Sequence, residues 1–158
     1  MLRYLYTYRE TIVDGEGIRY SIYLSGCKHH CHGCQNPESW NPMAGKPVTR
    51  EVINEIVKYV DSNPLLDGIT FSGGDPFFNP EEFLNLVREI KLRTAQNIWC
   101  YTGYTFEELL DDPRRKPILN YIDVLVDGRF EQSLYSPVLE FRGSSNQRIL
   151  KIDHSCLY

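Results

Sequence analysis

Hydrophobic and polar residues follow two different periods along this chain, and these periods predict strands that alternate with helices. Short segments rich in Ile, Val, Tyr and Phe predict four main strands. They lie at residues 20–25, 68–72, 97–102 and 121–128. Each segment ends at or beside a glycine, which marks the end of a strand.

Two segments between these strands have apolar residues at the spacing of an amphipathic helix. The first covers 48–63, with Thr49 as its predicted N-cap, and the second opens at Pro80. Thr105 and Glu108 have the spacing of a capping box, which predicts a third helix after the third strand. The residues of the two apolar stripes are Val52, Ile53, Ile56, Val57 and Val60, and Phe83, Leu84, Val87 and Ile90.

The order of these elements predicts an α/β fold. A strand, a helix and a second strand in succession form parallel pairs with right-handed crossovers. Because a closed eight-unit barrel needs about 250 residues, we expect a partial, open βα barrel of mostly parallel strands, in a single domain over residues 1–158. Two further short strands are predicted at 138–142 and 148–152. The segments SGC, SGGDP, TGY and DG follow the four main strands, and we expect them to meet at one common site.

The composition is that of an ordinary globular protein, with 42% apolar and 24% charged residues. The formal net charge is −4, so no basic field is available to neutralise phosphates and we expect no direct binding of nucleic acid. No apolar stretch approaches the length of a membrane span, and the first residues lack the apolar core of a signal peptide. We therefore expect a cytoplasmic protein that does not bind membranes.

Three of the five cysteines stand close together, with C-x3-C-x2-C spacing at Cys27, Cys31 and Cys34. An odd number of cysteines without a secretion signal argues against a disulfide framework. Cys100 lies in an apolar strand and is expected to be a small buried residue, and Cys156 lies near the end of the chain. The group of three can surround one inorganic centre from a single loop, which makes that loop a candidate metal site.

Two metal centres fit this spacing. A zinc site would take the three thiolates and one of His29, His30 and His32. A [4Fe–4S] cluster would bind the thiolates through three of its irons and leave the fourth iron open to a small molecule. Thiolate-only ligation favours the cluster, whereas the spacing alone leaves both centres open.

The segment ITFSGGDP adds a second candidate feature. Gly73 and Gly74 follow a strand, where a backbone without side chains can approach a ligand closely. The same pair is also typical of a plain strand-to-helix turn. Asp75 is either a turn residue or an acceptor for a cationic group of a ligand.

Taken together, these motifs resemble those of the radical S-adenosylmethionine enzymes. More narrowly, the chain resembles the activating proteins of anaerobic (class III) ribonucleoside-triphosphate reductase. The matches run in order over nearly the whole chain, and the last is the most specific to the family. They are DGEGIR (14–19), SGCKHHCHGC (25–34), SGGDP (72–76), WCYTGY (99–104), DVLVDGRF (123–130) and RGSSNQR (142–148).

The resemblance implies two cofactors. Cys27, Cys31 and Cys34 would hold a [4Fe–4S] cluster, and the amino and carboxylate groups of S-adenosylmethionine would chelate its open iron. Gln35 departs from the Tyr that is usual in the closer relatives. The implied contacts with S-adenosylmethionine are Gly33, Cys34 and Gln35 beside the cluster, and the backbone of Gly73 and Gly74 with Asp75 at the methionyl ammonium.

The resemblance also implies a reaction and a partner. Reduction of the cluster by a low-potential electron donor such as flavodoxin would cleave S-adenosylmethionine to methionine and a 5′-deoxyadenosyl radical. That radical would take a hydrogen atom from a glycine Cα of the anaerobic ribonucleoside-triphosphate reductase. Two alternatives stay open: an activase of another glycyl-radical enzyme, such as pyruvate formate-lyase, and a zinc-binding module without catalysis.

Two further features have more than one interpretation. Asp127 ends the fourth strand, where it either faces the site or forms an Asp-Gly turn. The polar segment 142–148 begins and ends with arginine, which suits either a loop that docks a partner or a solvated connection.

Overall fold

The structure is a computed structural model that describes residues 2–34 and 36–157. This part of the chain contains seven strands and three α-helices. The strands are β1 (Arg3–Thr11), β2 (Arg19–Leu24), β3 (Lys46–Pro47), β4 (Gly68–Gly73), β5 (Asn97–Tyr101), β6 (Val124–Asp127) and β7 (Arg148–Lys151). The helices are α1 (Arg50–Ser62), α2 (Pro80–Thr94) and α3 (Phe106–Leu110). Short 3-10 helices are Pro37–Trp40, Pro76–Phe78, Lys116–Tyr121, Gln132–Leu134 and His154–Leu157.

The strands form one open sheet in the order β3-β1-β2-β4-β5-β6-β7. Strands β2, β4, β5 and β6 are parallel neighbours. On one side β1 pairs antiparallel with β2 and β3 pairs antiparallel with β1, and on the other side β7 pairs antiparallel with β6. The prediction of an α/β fold with an open sheet and parallel central strands is confirmed.

The helices bury their apolar stripes against one face of the sheet. Helix α1 begins after Thr49, whose side chain accepts a backbone N–H bond as an N-cap. Thr105 and Glu108 form both hydrogen bonds of the predicted capping box. In α2, Leu86 lies in the core, whereas Leu84 packs at its margin. None of the helices in the described ranges combines the length and the apolar character that crossing a bilayer requires.

The predicted strands form with one exception. The fourth main strand starts three residues later than predicted, at Val124, and the segment 148–152 contains β7. The strand predicted at 138–142 is wrong, because this segment is irregular. Val138 is 85% exposed and Phe141 has a positive φ of 60°, so neither the burial nor the backbone of this segment suits a strand.

Strand β1 is absent from the sequence-based prediction. The pattern that identifies it is a tyrosine at every second position, Tyr4, Tyr6 and Tyr8. A bulge between Tyr4 and Tyr6 places Tyr4 against the helix-side core, whereas Tyr6 and Tyr8 share the other face. Tyr6 and Tyr8 pack with Tyr23 of β2, and the three ring centroids lie between 4.8 and 5.6 Å apart. This cross-strand aromatic contact supports the antiparallel pairing of β1 with β2.

The sheet face that turns away from the helices contains a buried arginine. Arg19 is 1% exposed, and its guanidinium donates to Thr70 Oγ1 at 2.8 Å and to the carbonyl oxygens of Ile69 and Asn97 at 3.0 Å. Burial lowers the pKa of Arg19 to about 10. Because Thr70 donates in turn to the carbonyl oxygen of Asp14 at 2.8 Å, this network holds the segment before β2 against the sheet.

Candidate functional site

A cavity of about 920 Å³ lies at the carboxyl ends of the four parallel strands. The loops that follow β2, β4, β5 and β6 all contribute to its wall, as the sequence predicts for one common site. Its volume is within the range of cofactor and small-molecule sites. The residues that these loops contribute include Cys27, Cys31, Cys34, Gly73, Gly74, Thr102, Gly103 and Gly128.

The cysteine loop, residues 25–34, carries the predicted metal ligands and follows β2 directly. At its base, the Gly26 N–H donates to the Ser39 carbonyl oxygen at 2.7 Å. At its far end, the Cys34 N–H donates to the Cys31 carbonyl oxygen at 3.0 Å and closes a turn. The backbone therefore attaches the base of the loop to the segment around Ser39 and folds its far end into a turn, with all three cysteines at the cavity wall.

Backbone N–H groups act on the cysteine sulfurs. The Asn36 N–H donates to Cys34 Sγ at 3.5 Å. Burial raises the pKa of Cys27 and Cys31, and the N–H groups of His29 and His30 at Cys27, and of Phe130 at Cys31, act in the opposite direction. Such N–H groups favour thiolate over thiol and are among the contacts that tune iron–sulfur centres. The residues present therefore fit a [4Fe–4S] cluster held by three thiolates.

The cysteine sulfurs differ in burial. Cys27 is buried, whereas Cys31 and Cys34 are half-buried. Burial raises the pKa of the Cys27 thiol to about 11 and also raises the pKa of Cys31. Ligation of iron by Cys27 and Cys31 therefore includes the loss of a proton from both thiols.

The same loop is a poor site for a zinc ion. In the described part of the chain, no three His, Cys, Asp or Glu side chains are placed to hold one metal ion together. His29 bonds to Asp75, His30 stacks on Trp40 with ring centroids 4.4 Å apart, and His32 is exposed. A cluster needs no convergence on one ion, because each thiolate bonds a different iron atom. The arrangement favours the cluster over zinc.

Gly73 and Gly74 line the cavity, and protein backbone occupies the space where their side chains would lie. Gly73 has a φ of +106°, a conformation that favours glycine. A Cβ on Gly74 would lie 2.5 Å from the Gly26 carbonyl oxygen and 2.7 Å from that of Ser39. The glycine pair therefore allows the end of β4 to pack directly against the base of the cysteine loop.

Asp75 is buried, with 2% exposure, and its carboxylate connects three segments. One oxygen accepts a hydrogen bond from the Phe77 N–H and the other from the Gly103 N–H, both at 3.0 Å. The Thr102 hydroxyl lies 2.9 and 3.0 Å from the two oxygens, and His29 Nε2 lies 2.7 Å from Oδ2. Asp75 is not among the residues that line the cavity, so its contact with a ligand ammonium stays a prediction.

The other residues predicted to contact S-adenosylmethionine are placed differently from one another. Cys34 lines the cavity. Gly33 lies in an exposed turn beside the Gln132 side chain, with a φ of +75°. Gln35 lies outside the described residues. The cofactor contacts of these three residues stay predictions.

Asp127 supports the start of α3. Its carboxylate accepts the Phe106 N–H bond at 2.8 Å and is held by Arg148 at 3.0 and 2.5 Å. Hydrogen bonds to Asp127 and Glu107 raise the pKa of Arg148. Asp127 is 1% exposed and does not line the cavity, so the structure gives it a supporting contact with α3 and β7.

The segment 142–148 bonds to itself and to the loop after β6. Gln147 accepts hydrogen bonds from the N–H groups of Gly143 and Ser144 at 2.9 and 3.1 Å. Its side-chain nitrogen donates to the Gly128 carbonyl oxygen at 3.0 Å. These contacts show an internal structural role, and docking of a partner by this segment stays a prediction.

Sequence reasoning missed a polar part of the cavity wall, formed by Asp14, Tyr23 and Tyr101. The Tyr23 hydroxyl donates to Asp14 Oδ2 at 2.5 Å. Burial raises the pKa of both tyrosines, and the bond to Asp14 raises that of Tyr23 further. The available signal was Asp14 itself, since it opens the matching segment 14–19.

Comparison with known proteins identifies the type of domain. Residues 13–150 match the family described as a 4Fe-4S single cluster domain. This range includes the three cysteines of the loop and all four strand ends at the cavity.

Relatives of this chain match it over almost its whole length. It is 40% identical over 154 residues to the anaerobic ribonucleoside-triphosphate reductase-activating protein of Pasteurella multocida (strain Pm70), which covers 95% of this chain and 98% of that protein. The proteins of the same name from Escherichia coli (strain K12) and Enterobacteria phage T4 are each 38% identical, over 150 and 140 residues. These alignments cover 92% and 87% of this chain, and 96% and 86% of the relatives.

Proposed function

The chain belongs to the family of anaerobic ribonucleoside-triphosphate reductase-activating proteins, and on this premise we propose that it is a radical S-adenosylmethionine enzyme that generates a glycyl radical on that reductase. The observation that carries this proposal is the cavity lined by three cysteines of one loop. Three thiolates from one loop suit a cluster with one iron left for a cosubstrate.

The cavity has room for both cofactors of such an enzyme. Cys27, Cys31 and Cys34 would hold the [4Fe–4S] cluster, and S-adenosylmethionine would lie beside it. When bound, the cluster and S-adenosylmethionine supply one-electron cleavage of a carbon–sulfur bond and a radical that removes a hydrogen atom from a glycine Cα. The residues proposed to contact S-adenosylmethionine are Gly33, Cys34, Gln35, Gly73, Gly74 and Asp75.

The chain's own residues position these groups. The glycine pair brings the end of β4 against the cysteine loop, and the buried Asp75 joins that loop to the end of β5. The wall formed by Asp14, Tyr23 and Tyr101 presents hydroxyl and carboxylate groups, which suit the hydroxyl and amino groups of S-adenosylmethionine.

The same proposal includes a fold type, a location in the cell and a source of electrons. The open sheet would be a partial barrel of the radical S-adenosylmethionine type, within one domain over residues 1–158. The protein would act in the cytoplasm and receive its electron from a low-potential donor such as flavodoxin.

The surface around the cavity suits a polypeptide substrate. Ile12 and Val13, after β1, are 71% and 68% exposed, and Tyr135, after β6, is 51% exposed. All three also line the cavity. Exposed apolar residues at an opening indicate a surface that a partner covers. We propose that this partner is the reductase segment that carries the target glycine, because its Cα has to reach the cofactors inside the cavity.

An aspartate at this rim will weaken activation of the reductase. Val13→Asp places a charge on a surface that the partner would dehydrate, so the affinity for the reductase should fall about tenfold, equivalent to about 1.4 kcal/mol. Leu92→Asp is the control, since Leu92 is 76% exposed on α2 and does not line the cavity. Affinity is measured anaerobically with immobilised reductase, and iron content is measured in parallel. Equal affinity of Val13→Asp and wild type would argue against this rim as the docking surface.

The proposed function is tested anaerobically with reconstituted protein, dithionite, S-adenosylmethionine and the anaerobic reductase. We expect an EPR signal of a reduced cluster that changes on addition of S-adenosylmethionine, followed by a glycyl-radical signal on the reductase. Bound zinc without sulfide, and no response to S-adenosylmethionine, would refute the proposal in favour of a binding module. A responsive cluster without a radical on the reductase would indicate a different glycyl-radical partner, such as pyruvate formate-lyase.

A further inference from the structure

One histidine of the cysteine loop turns inward. Its neighbours Lys28, His30 and His32 are exposed, whereas the side chain of His29 is only 2% exposed. Its Nε2 lies 2.7 Å from an oxygen of Asp75, whose side chain is 1% exposed. A histidine between two metal ligands is therefore bonded to a carboxylate on another strand end.

The carboxylate of Asp75 is itself held in a fixed position. The N–H groups of Phe77 and Gly103 donate to its two oxygens, and the Thr102 hydroxyl lies within 3.0 Å of both. These donors come from the segments after β4 and β5. Asp75 therefore fixes His29 relative to two strands of the sheet, and a turn of this carboxylate toward a ligand would break several buried hydrogen bonds.

Gly103 provides an independent observation on the same contact. A Cβ at this position would lie 2.5 Å from His29 Cδ2 and 2.9 Å from Nε2. Gly103 is not among the glycines with positive φ, so its backbone conformation does not require glycine. The imidazole packs edge-on against the Tyr104 ring, with centroids 4.6 Å apart. The residue at 103 thus leaves room for the imidazole.

From these contacts we propose that His29, Asp75 and Gly103 form a clasp that sets the position of the cysteine loop and thereby the positions of Cys27 and Cys31. The inference rests on the proposed function, because it concerns the cluster that these cysteines would hold. His29 acts here as a positioning residue, since its imidazole is directed at Asp75. Asp75 then contributes to cofactor binding through the loop that it holds, in addition to the contact proposed above.

The test compares His29→Ala with His32→Ala, which changes an exposed histidine of the same loop. Reconstituted proteins are exposed to an iron chelator, and the rate of iron loss is measured together with the EPR spectrum of the reduced cluster. We expect His29→Ala to lose iron about 10- to 100-fold faster, as for other residues that orient metal ligands, and to shift the EPR g-values. His29→Gln, which can still donate to Asp75, should restore much of the wild-type behaviour.

Gly103→Ala makes the inference falsifiable in a second way. This variant should release iron as fast as His29→Ala, because the new methyl group displaces the imidazole. In a His29→Ala background the same change should have almost no further effect, because the space is then free. Additive effects of the two changes, or His29→Ala proteins that match His32→Ala, would overturn the clasp while leaving the proposed function intact. A wild-type protein that binds no cluster would instead overturn both.

Discussion

Replacing Cys31 with alanine will abolish binding of the [4Fe–4S] cluster. Cys31 is half-buried at the cavity wall, on the same loop as Cys27 and Cys34. Without this thiolate one iron loses its protein ligand, and two thiolates remain for a cluster that already lacks a fourth protein ligand. Iron and sulfide contents should fall to background after reconstitution, and the EPR signal of the reduced cluster should be absent.

Cys100→Ala is the matched control for this prediction. Cys100 is fully buried in the core between the sheet and the helices and does not line the cavity. Its loss should lower the free energy of unfolding by about 1 kcal/mol and leave cluster content unchanged. A full cluster in Cys31→Ala, or an equal loss of iron in Cys100→Ala, would contradict the ligand assignment.

The fold was predictable from the sequence where consecutive residues of a strand are apolar and buried. Most residues of the parallel strands are buried, so short apolar segments that end beside glycine identify them. Strand β1 is only partly buried, and its alternating tyrosines mix apolar rings with polar hydroxyls. At 138–142 a strand was predicted that does not form. Val138 in this segment is apolar but 85% exposed.

The site was predictable only where its chemistry lies within one segment. The cysteine spacing identifies a metal-binding loop by itself, because the three thiols come from a single turn of chain. The bond of His29 to Asp75 joins residues 46 positions apart, and that of Gly103 to Asp75 spans 28 positions. The first contact exists because β2 and β4 are parallel neighbours, and the second because β4 and β5 are. A histidine among cysteines therefore suggests a metal ligand in the sequence, although the fold gives it another partner.

Alanine at Gly74 will prevent cluster binding while the rest of the chain still folds. The new Cβ would lie 2.5 Å from the Gly26 carbonyl oxygen, which also accepts the Asp75 N–H at 2.7 Å. Both atoms in conflict with the Cβ belong to backbone, at Gly26 and Ser39, so no side-chain rotation relieves the contact. The end of β4 and the residue before Cys27 have to move apart, which costs about 1–3 kcal/mol.

The matched control for Gly74→Ala is a variant with a similar loss of stability at a distant position. Val60→Ala removes a buried side chain of α1, which packs on the helix side of the sheet, and should cost about 2 kcal/mol. Thermal unfolding should show comparable destabilisation of both variants, but only Gly74→Ala should lose iron and sulfide after reconstitution. If both variants bind a full cluster, the close packing of β4 against the loop is not needed for cluster binding. If both lose it, cluster binding depends on overall stability, and the glycine pair has no special part in it.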